Sequence, residues 1–561
     1  MTGGMDNPVE VVFSPGGERF FTTTFVLHPG GGLRDGIIHA VYGGVYGKDH
    51  DVVNGHTRTG DFMPVMTHLG AAAPSGLALL ESDQLGFGGN LVATMFNMRK
   101  ITRHELIEHG STFTSQDHDL LVSDNLDFHP TDVIEDADGS LLVVDTGGWY
   151  KLCCPTSQLH KPDILGAIYR LRRRDQLKLD DPRGLQTVWR DRSVEELLTA
   201  LDEQRPAVRR RAGDELARRG ESVVAQLSNA LPESSARTGQ NIVWTLTRIS
   251  SDSSRAAVAQ ALRHSESTVR QAALHSISVR RDMQPAKTVA QLVLADTSSQ
   301  VRRAAAEALG RIGGEDAVDV ILNAFADVGD DRVLEHSLIY ALSELGQRDA
   351  IYQRLRSMPA AAQRAALLVL EQSDASSLTF NDVLPFLSVD DAQLRKTVDW
   401  VVGRHPEWSP ELSEYFQQLL AKSAPTDDLL NRIELHLATS AAQQASRDLA
   451  ARILSQSDPA SKLRHAVLKA MANSRLERLP SKWQDVLLPI LETGGAGDPA
   501  LVIEVFRKLT PTDDGKAEVA RRLSVYAARE ELDERLRLAT LSVMPANTVD
   551  CTSGGKNRIF L

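Results

Sequence analysis

Residues able to do chemistry crowd one end of this chain. Residues 1–174 hold 10 of the 16 histidines, 23 of the 39 glycines and 14 of the 29 aromatic residues. His68 lies in Met66-Thr67-His68-Leu69-Gly70, shortly before a Pro74-Ser75-Gly76 turn, and His129 stands directly before Pro130 at a strand entrance. An imidazole at a loop end is the commonest general base, because its pKa lies near working pH. Arg58 sits in a polar loop flanked by glycines, where a guanidinium can hold an anion. Trp149 follows Gly147-Gly148, a pair that lets backbone approach a flat ligand closely. Cys153 and Cys154 are adjacent and would close a strained eight-membered ring if oxidised. For each residue the plainer alternative is a structural one: a hydrogen-bonded turn anchor, a packed loop, a pair of reduced thiols.

Other patterns are weaker. Asp136-Ala137-Asp138-Gly139 has part of a calcium-loop spacing but no distal glutamate, and reads better as a hairpin turn. Asp117-His118-Asp119 reads as a polar loop, and no spacing suits a zinc site. There is no C-x-x-C-H haem site, and three cysteines make no disulfide framework. The net charge of −12 argues against nucleic acid as the main partner. No apolar run reaches the roughly 18–20 residues of a transmembrane helix. The first residues, Met1-Thr2-Gly3-Gly4-Met5-Asp6, show neither the basic nor the apolar region of a signal peptide.

The elements that must position these residues fall into two kinds. Residues 1–174 contain short apolar runs bounded by Gly, Pro, Asn and Asp, among them 7–13, 19–21, 88–96, 131–145 and 167–171. These read as strands joined by tight turns, in groups suggesting propeller blades. After a linker at 175–194, residues 195–545 are helical and repetitive, and 546–561 form a polar tail. In Val301-Arg302-Arg303-Ala304-Ala305-Ala306-Glu307-Ala308-Leu309-Gly310, residues Val301, Ala304, Ala305, Ala308 and Leu309 make one helical stripe. Gly310 is placed to end that helix, and a second helix is expected near 317–322. Equivalents of Val301 recur at Val208, Thr238, Val269, Leu334, Ala362, Leu394, Leu430, Leu463, Leu501 and Leu536. Arginine follows at 209, 270, 302, 395, 464 and 537, where its stem is expected to cover the next repeat and its head to pair with nearby acids.

Helix pairs at this period make an α-solenoid. The Val-Arg-x-x-Ala unit with a preceding Asp resembles the HEAT family, especially its short, phycobilisome-lyase-like form, which implies a curved surface for a protein partner. Asn54–Phe62, Phe128–Val133 and Val144–Pro155 resemble the bacterial "putative membrane-bound dehydrogenase" family, in which a propeller like that of PQQ-dependent glucose/sorbosone dehydrogenases precedes HEAT-like repeats. That resemblance implies oxidation of a sugar or other alcohol by PQQ, often with Ca²⁺. His68 or His129 would be the base, Arg58 a cofactor or substrate contact, and Trp149 with Cys153 and Cys154 a wall for the cofactor. It also implies export.

A six-bladed propeller needs roughly 300 residues at about 50 per blade, and only about 170 precede the repeats. The expected fold is therefore multidomain, β then α: a partial β-propeller of about 3–4 blades followed by a HEAT-type α-solenoid, as in a piece of a longer protein. Two functions compete. One is a dehydrogenase-derived enzyme; the other is a non-catalytic HEAT-repeat scaffold with a propeller remnant.

Overall fold

The computed structural model describes residues 3–4, 7–24, 33–47, 55–149, 161–175, 178–373, 378–458, 461–493 and 497–544. Asn54, Tyr150, Cys153, Cys154 and Cys551 lie outside the described residues, and of Trp149 only the backbone is described, in a short 3-10 turn Gly147–Trp149. The chain forms two compact units, Met1–Ser377 and Leu378–Leu561. The change from strand to helix near residue 190 does not divide them: the first unit contains both the sheets and the first repeats.

The β region is three antiparallel meanders. The first is β1 (Asn7–Phe13), β2 (Arg19–Thr24), β3 (Asp35–His39) and β4 (Thr67–Gly70). The second is β5 (Pro74–Leu79), β6 (Leu91–Met95), β7 (Lys100–His109) and β8 (Thr112–Val122). The third is β9 (Pro130–Glu135), β10 (Leu141–Asp145) and β11 (Ala167–Leu171). Among the described residues these sheets close into no barrel. Asp117-His118-Asp119 is not a loop: it lies within β8, paired to β7. The segment hides from a hydrophobicity reading because most of its side chains meet water, so no apolar face marks its strand period. The 136–139 turn is a hairpin, with the Gly139 amide donating to the Asp136 carbonyl at 2.8 Å.

The sheets stack. Phe20, Ile37, Leu77, Leu91 and Met95 form the core joining the first sheet to the second. Ile101, Phe128, Val133, Leu141 and Val143 form the core joining the second to the third. The opposite face of the first sheet is also covered. Phe21, Ile38, Val41 and Tyr46 pack with Val333, which belongs to the solenoid. Burial on both faces explains why Phe20-Phe21 and Ile37-Ile38 are consecutive apolar pairs rather than an alternating pattern. Without the helices, the first sheet would expose the face that carries Phe21 and Ile38. Residues 1–170 expressed without the helices are expected to aggregate; a soluble monomer with a cooperative melt would contradict this.

The repeats of the first unit form two rows of helices. The front row comprises Pro206–Arg219, Ala236–Arg248, Ser267–Arg280, Ser299–Ile312, Arg332–Leu345 and Ala360–Gln372, each packed on the next. The second unit has its own front row: Ala392–Arg404, Asp427–Thr439, Lys462–Ala472, Asp498–Lys508 and Glu534–Ser542. Every expected equivalent of Val301 falls within the first four residues of one of these helices. The Ser299–Ile312 helix is capped by Ser298, whose Oγ accepts from the Val301 amide. It runs through Gly310 instead of ending there. A Cβ at Gly310 would stand 2.8 Å from Ala341 Cα, so the glycine serves close helix contact.

Several of the recurring arginines staple repeat to repeat. Arg270 Nε and Nη2 each reach an oxygen of Asp296 at 2.8 Å, Arg395 meets Asp428 at 3.0 Å, and Arg464 meets Asp498 at 3.2 Å. Arg302 and Arg537 instead donate to the carbonyls of Val293 and Ala527. Replacing Arg270 by alanine is expected to cost the first unit about 2–3 kcal/mol, the range for charge-assisted bonds. An unchanged urea midpoint would show that this joint does not hold the repeats.

Candidate functional site

The polar centre of the first unit lies where the sheets meet the front row of helices. The β1–β2 turn is clasped first: the Trp244 indole donates to the Pro15 carbonyl at 2.7 Å. Gly17 has φ +95°, and a Cβ there would stand 2.7 Å from His275 Cδ2. Gly17→Ala therefore combines backbone strain with a clash and is expected to cost about 1–3 kcal/mol. Wild-type stability, followed by urea denaturation, would refute that close fit.

The tip of the β7–β8 hairpin is held by a helix cap. Asp331 accepts from the Val333 and Leu334 amides, and also from the Ser111 amide and hydroxyl at 2.7 Å each. The 55–62 loop forms a third attachment. Thr59 Oγ1 donates to His336 Nδ1 at 2.7 Å, Arg332 donates to the Asp61 carbonyl, and Gln372 bonds both backbone groups of Arg58. Further along, Arg209 and Arg210 both reach Glu81. The first of the recurring arginines thus binds a sheet rather than the next repeat.

Beneath these loops lies a buried ionic cluster. Glu18 is 1% exposed and Arg303 is fully buried; they form a salt bridge, and Gln271 also donates to Glu18. His39 Nε2 donates to the other Glu18 oxygen at 2.7 Å, while its Nδ1 accepts from Thr112 at 2.9 Å. Arg303 donates to the Ser111 carbonyl, and Arg19 pairs with Glu307 at 3.2 Å. Burial works against the Glu18 carboxylate, but Arg303 and His39 outweigh it and hold its pKa well below the usual range. Burial pushes the histidines the other way, keeping them neutral. His39 is lowered despite Glu18, His275 is pushed down to about 4, and His336 down to about 3 with help from Arg332.

The residues singled out from sequence are not gathered into one site. His68 is exposed on β4 and lines a cavity of about 370 Å³ with Lys100, His104, Asp117 and His118. There Asp117 accepts from His104, Ser115 and Thr67. Against the effect of burial, these bonds hold its carboxyl at about 2. An anionic quinone fits this cavity poorly. Lys100 is already paired with Asp119, and Asp117 adds a second negative charge. His129 is not among its lining residues. It is buried, with Nδ1 on the Gly147 carbonyl at 2.9 Å and its ring against Phe96. Arg58 is exposed on the loop bound by Gln372. Among the described residues no cluster of His, Cys, Asp and Glu could hold a metal ion.

Glu18, His39, Arg303, Asp331 and His336 were not legible as a site. They come from two places in the chain, Glu18 and His39 from the first sheet and Arg303, Asp331 and His336 from two front-row helices, and only the docking of sheet on solenoid joins the two groups. The doubled apolar pairs at 20–21 and 37–38 were the available signal that both faces of the first sheet are covered.

Residues 194–278 and 256–343 match the HEAT repeats family. No curated protein sequence matches this chain. Among solved structures, an engineered protein aligns with 63% of this chain and 98% of its own at 14% identity and a TM-score of 0.22. The CpcE–CpcF complex of phycocyanin lyase from Nostoc sp. PCC7120 aligns with 46% of this chain and 98% of its own at 16% identity and a TM-score of 0.23. A chain from the structure of Kap95p with RanGDP aligns with 63% of this chain and 50% of its own at 11% identity and a TM-score of 0.30. No helix among the described residues is long and apolar enough to cross a membrane.

Proposed function

We propose that this chain is a non-catalytic HEAT-repeat scaffold whose first unit uses its helices to hold the chain's own sheets, and whose second unit offers repeats to a protein partner. One observation carries the reading: the β-region loops spend their polar groups on the solenoid. Asp331 holds the β7–β8 tip, Gln372 holds Arg58, and His336 holds Thr59. Loops so engaged are poorly placed to close over a substrate. HEAT repeats generally mediate protein contacts, and the helical rows of the second unit carry none of the chain's sheets, which supports leaving them to a partner.

Two measurements test this. PQQ titrated into the purified chain with sugars, alcohols and a redox dye should give neither saturable binding nor dye reduction. Turnover that His68→Ala abolishes would overturn the reading in favour of a dehydrogenase. By hydrogen exchange, the Ser111 amide should be as protected as the Ser299–Ile312 helix, and Asp331→Ala should expose it. A β7–β8 tip that exchanges freely in the wild type would mean the sheets are not cargo of the repeats.

A further inference from the structure

The stack of sheets ends on an open face. The first sheet is covered on both sides, by the second sheet and by the solenoid, and the second sheet lies between the first and the third. The third sheet buries one side only. Its Val133, Leu141 and Val143 pack inward, whereas Leu142 and Val144 alternate with them along β10 and are half-buried. The register sets Ile134 opposite Leu142 and Ile168 opposite Val144, so these four side chains share the outer face. There Ile134 is 53% exposed and Ile168 71%, and Leu165, just before β11, is 85% exposed.

The sequence of β10 suits a strand with both faces buried. Leu141-Leu142-Val143-Val144 is a continuous apolar run, like Phe20-Phe21 and Ile37-Ile38 of the first sheet, which are buried on both sides. Val133-Ile134 repeats the feature on β9. An antiparallel strand with one face in water alternates apolar with polar residues instead. A contiguous aliphatic surface left open marks an interaction site. Its charged neighbours are already engaged. Arg170, opposite Leu142, meets Asp136 at 2.7 Å and Asp138 at 3.4 Å, and Arg172 meets Asp138 at 2.8 Å. Asp132, opposite Val144, accepts from the Val133 amide at 2.8 Å. With both signs present and matched, the face neither selects a charged partner nor repels a copy of itself.

We infer that the third sheet is the interface of a homodimer, in which the outer faces of two copies pack sheet on sheet about a two-fold axis. The contact continues the stack by one more step of the kind already made twice within the chain, and a second copy supplies the aliphatic sheet face that such a step needs. Three short strands cover little area, so the dimer is reversible, half-formed at on the order of ten micromolar. Each dimer carries two second units, and a partner that is itself paired gains by binding both.

The test is sedimentation velocity of the full chain at concentrations from about 1 to 100 μM, a range that brackets the expected midpoint. The chain should pass from monomer to dimer and stop there, because an isologous contact uses up the face on both copies. Ile168→Lys, at a side chain that meets water in the monomer, should weaken association at least about tenfold by burying a charge without a partner, with the thermal melt by circular dichroism unchanged. Ile134→Lys, on a different strand, should do the same, so a folding failure of one variant leaves the other to decide. Val279→Lys, at a side chain 70% exposed on a solenoid helix, should associate like wild type. A chain that stays monomeric throughout the range, assembly beyond the dimer, a dimer that persists in the folded Ile168→Lys or Ile134→Lys protein, or a dimer lost in Val279→Lys would each overturn the assignment.

Discussion

Arg303→Met is expected to destabilise the first unit by about 3–5 kcal/mol, the cost of leaving a buried charge without its partner. The guanidinium is fully buried and answers the Glu18 carboxylate; it also donates to the Ser111 carbonyl. Methionine fills much of the same volume, so the loss is electrostatic more than steric. The second half of the experiment separates the two causes. Glu18→Gln removes the stranded charge, and the amide can still accept from His39. The double variant Glu18→Gln/Arg303→Met should therefore be less destabilised than the sum of the single variants by about 1 kcal/mol or more. Urea denaturation, followed through Trp244 and its neighbours, measures both. Additive losses would mean that Glu18 and Arg303 do not depend on each other, and the ionic account would fall.

Acid is expected to loosen the sheets from the solenoid well before it titrates ordinary carboxylates. His275 and His336 hold pKa values of about 4 and 3 in the folded unit, whereas an unfolded histidine titrates near 6.5. Between those values the unfolded chain binds more protons. Stability is therefore complete above about pH 6.5 and falls as the pH drops towards 4. Each of these two buried imidazoles accounts for about 3 kcal/mol over that window, and His39 shifts in the same direction. Glu18 adds to the loss only below about pH 4.5, where an unfolded glutamate takes a proton that the folded one refuses. The groups facing these histidines pull both ways, and burial decides. Glu18 favours protonation of His39, Glu307 and Glu18 favour that of His275, and the Tyr42 carbonyl and Glu307 favour that of His336, while Arg19 and Arg303 oppose it at His39 and His275 and Arg332 and Arg303 at His336. The urea midpoint of the first unit should thus fall steadily from pH 7 to pH 4, and His275→Leu should flatten the fall. A midpoint constant across that range would mean that water reaches these rings.

What could be read beforehand followed periodicity. The stripe from Val301 to Leu309 and its ten equivalents placed the front-row helices, because a helix one turn deep in a neighbour must repeat its apolar positions. The strands 7–13, 130–135, 141–145 and 167–171 were legible as short apolar runs bounded by turn residues. The β7–β8 hairpin was not, since Thr114, Gln116, Asp117 and Asp119 all face water. The buried site was harder still. Arg303 becomes a partner of Glu18 only through packing between segments nearly 300 residues apart, and no local pattern encodes that. The loop around Arg58 stood out in the sequence, yet its unusual composition reflects a different demand: backbone groups and small side chains that fit against Arg332, His336 and Gln372.

The attachment of the sheets to the first repeats also bears on competition. The sheets are carried on the same chain as the front-row helices they cover, so they occupy that helical face at an effective concentration of order millimolar, whatever the protein concentration. An outside segment seeking that face must outbid a resident that never diffuses away. Dilution therefore leaves the first unit saturated with its own ligand, while a soluble rival gains entry only when a change such as acidification weakens the resident first.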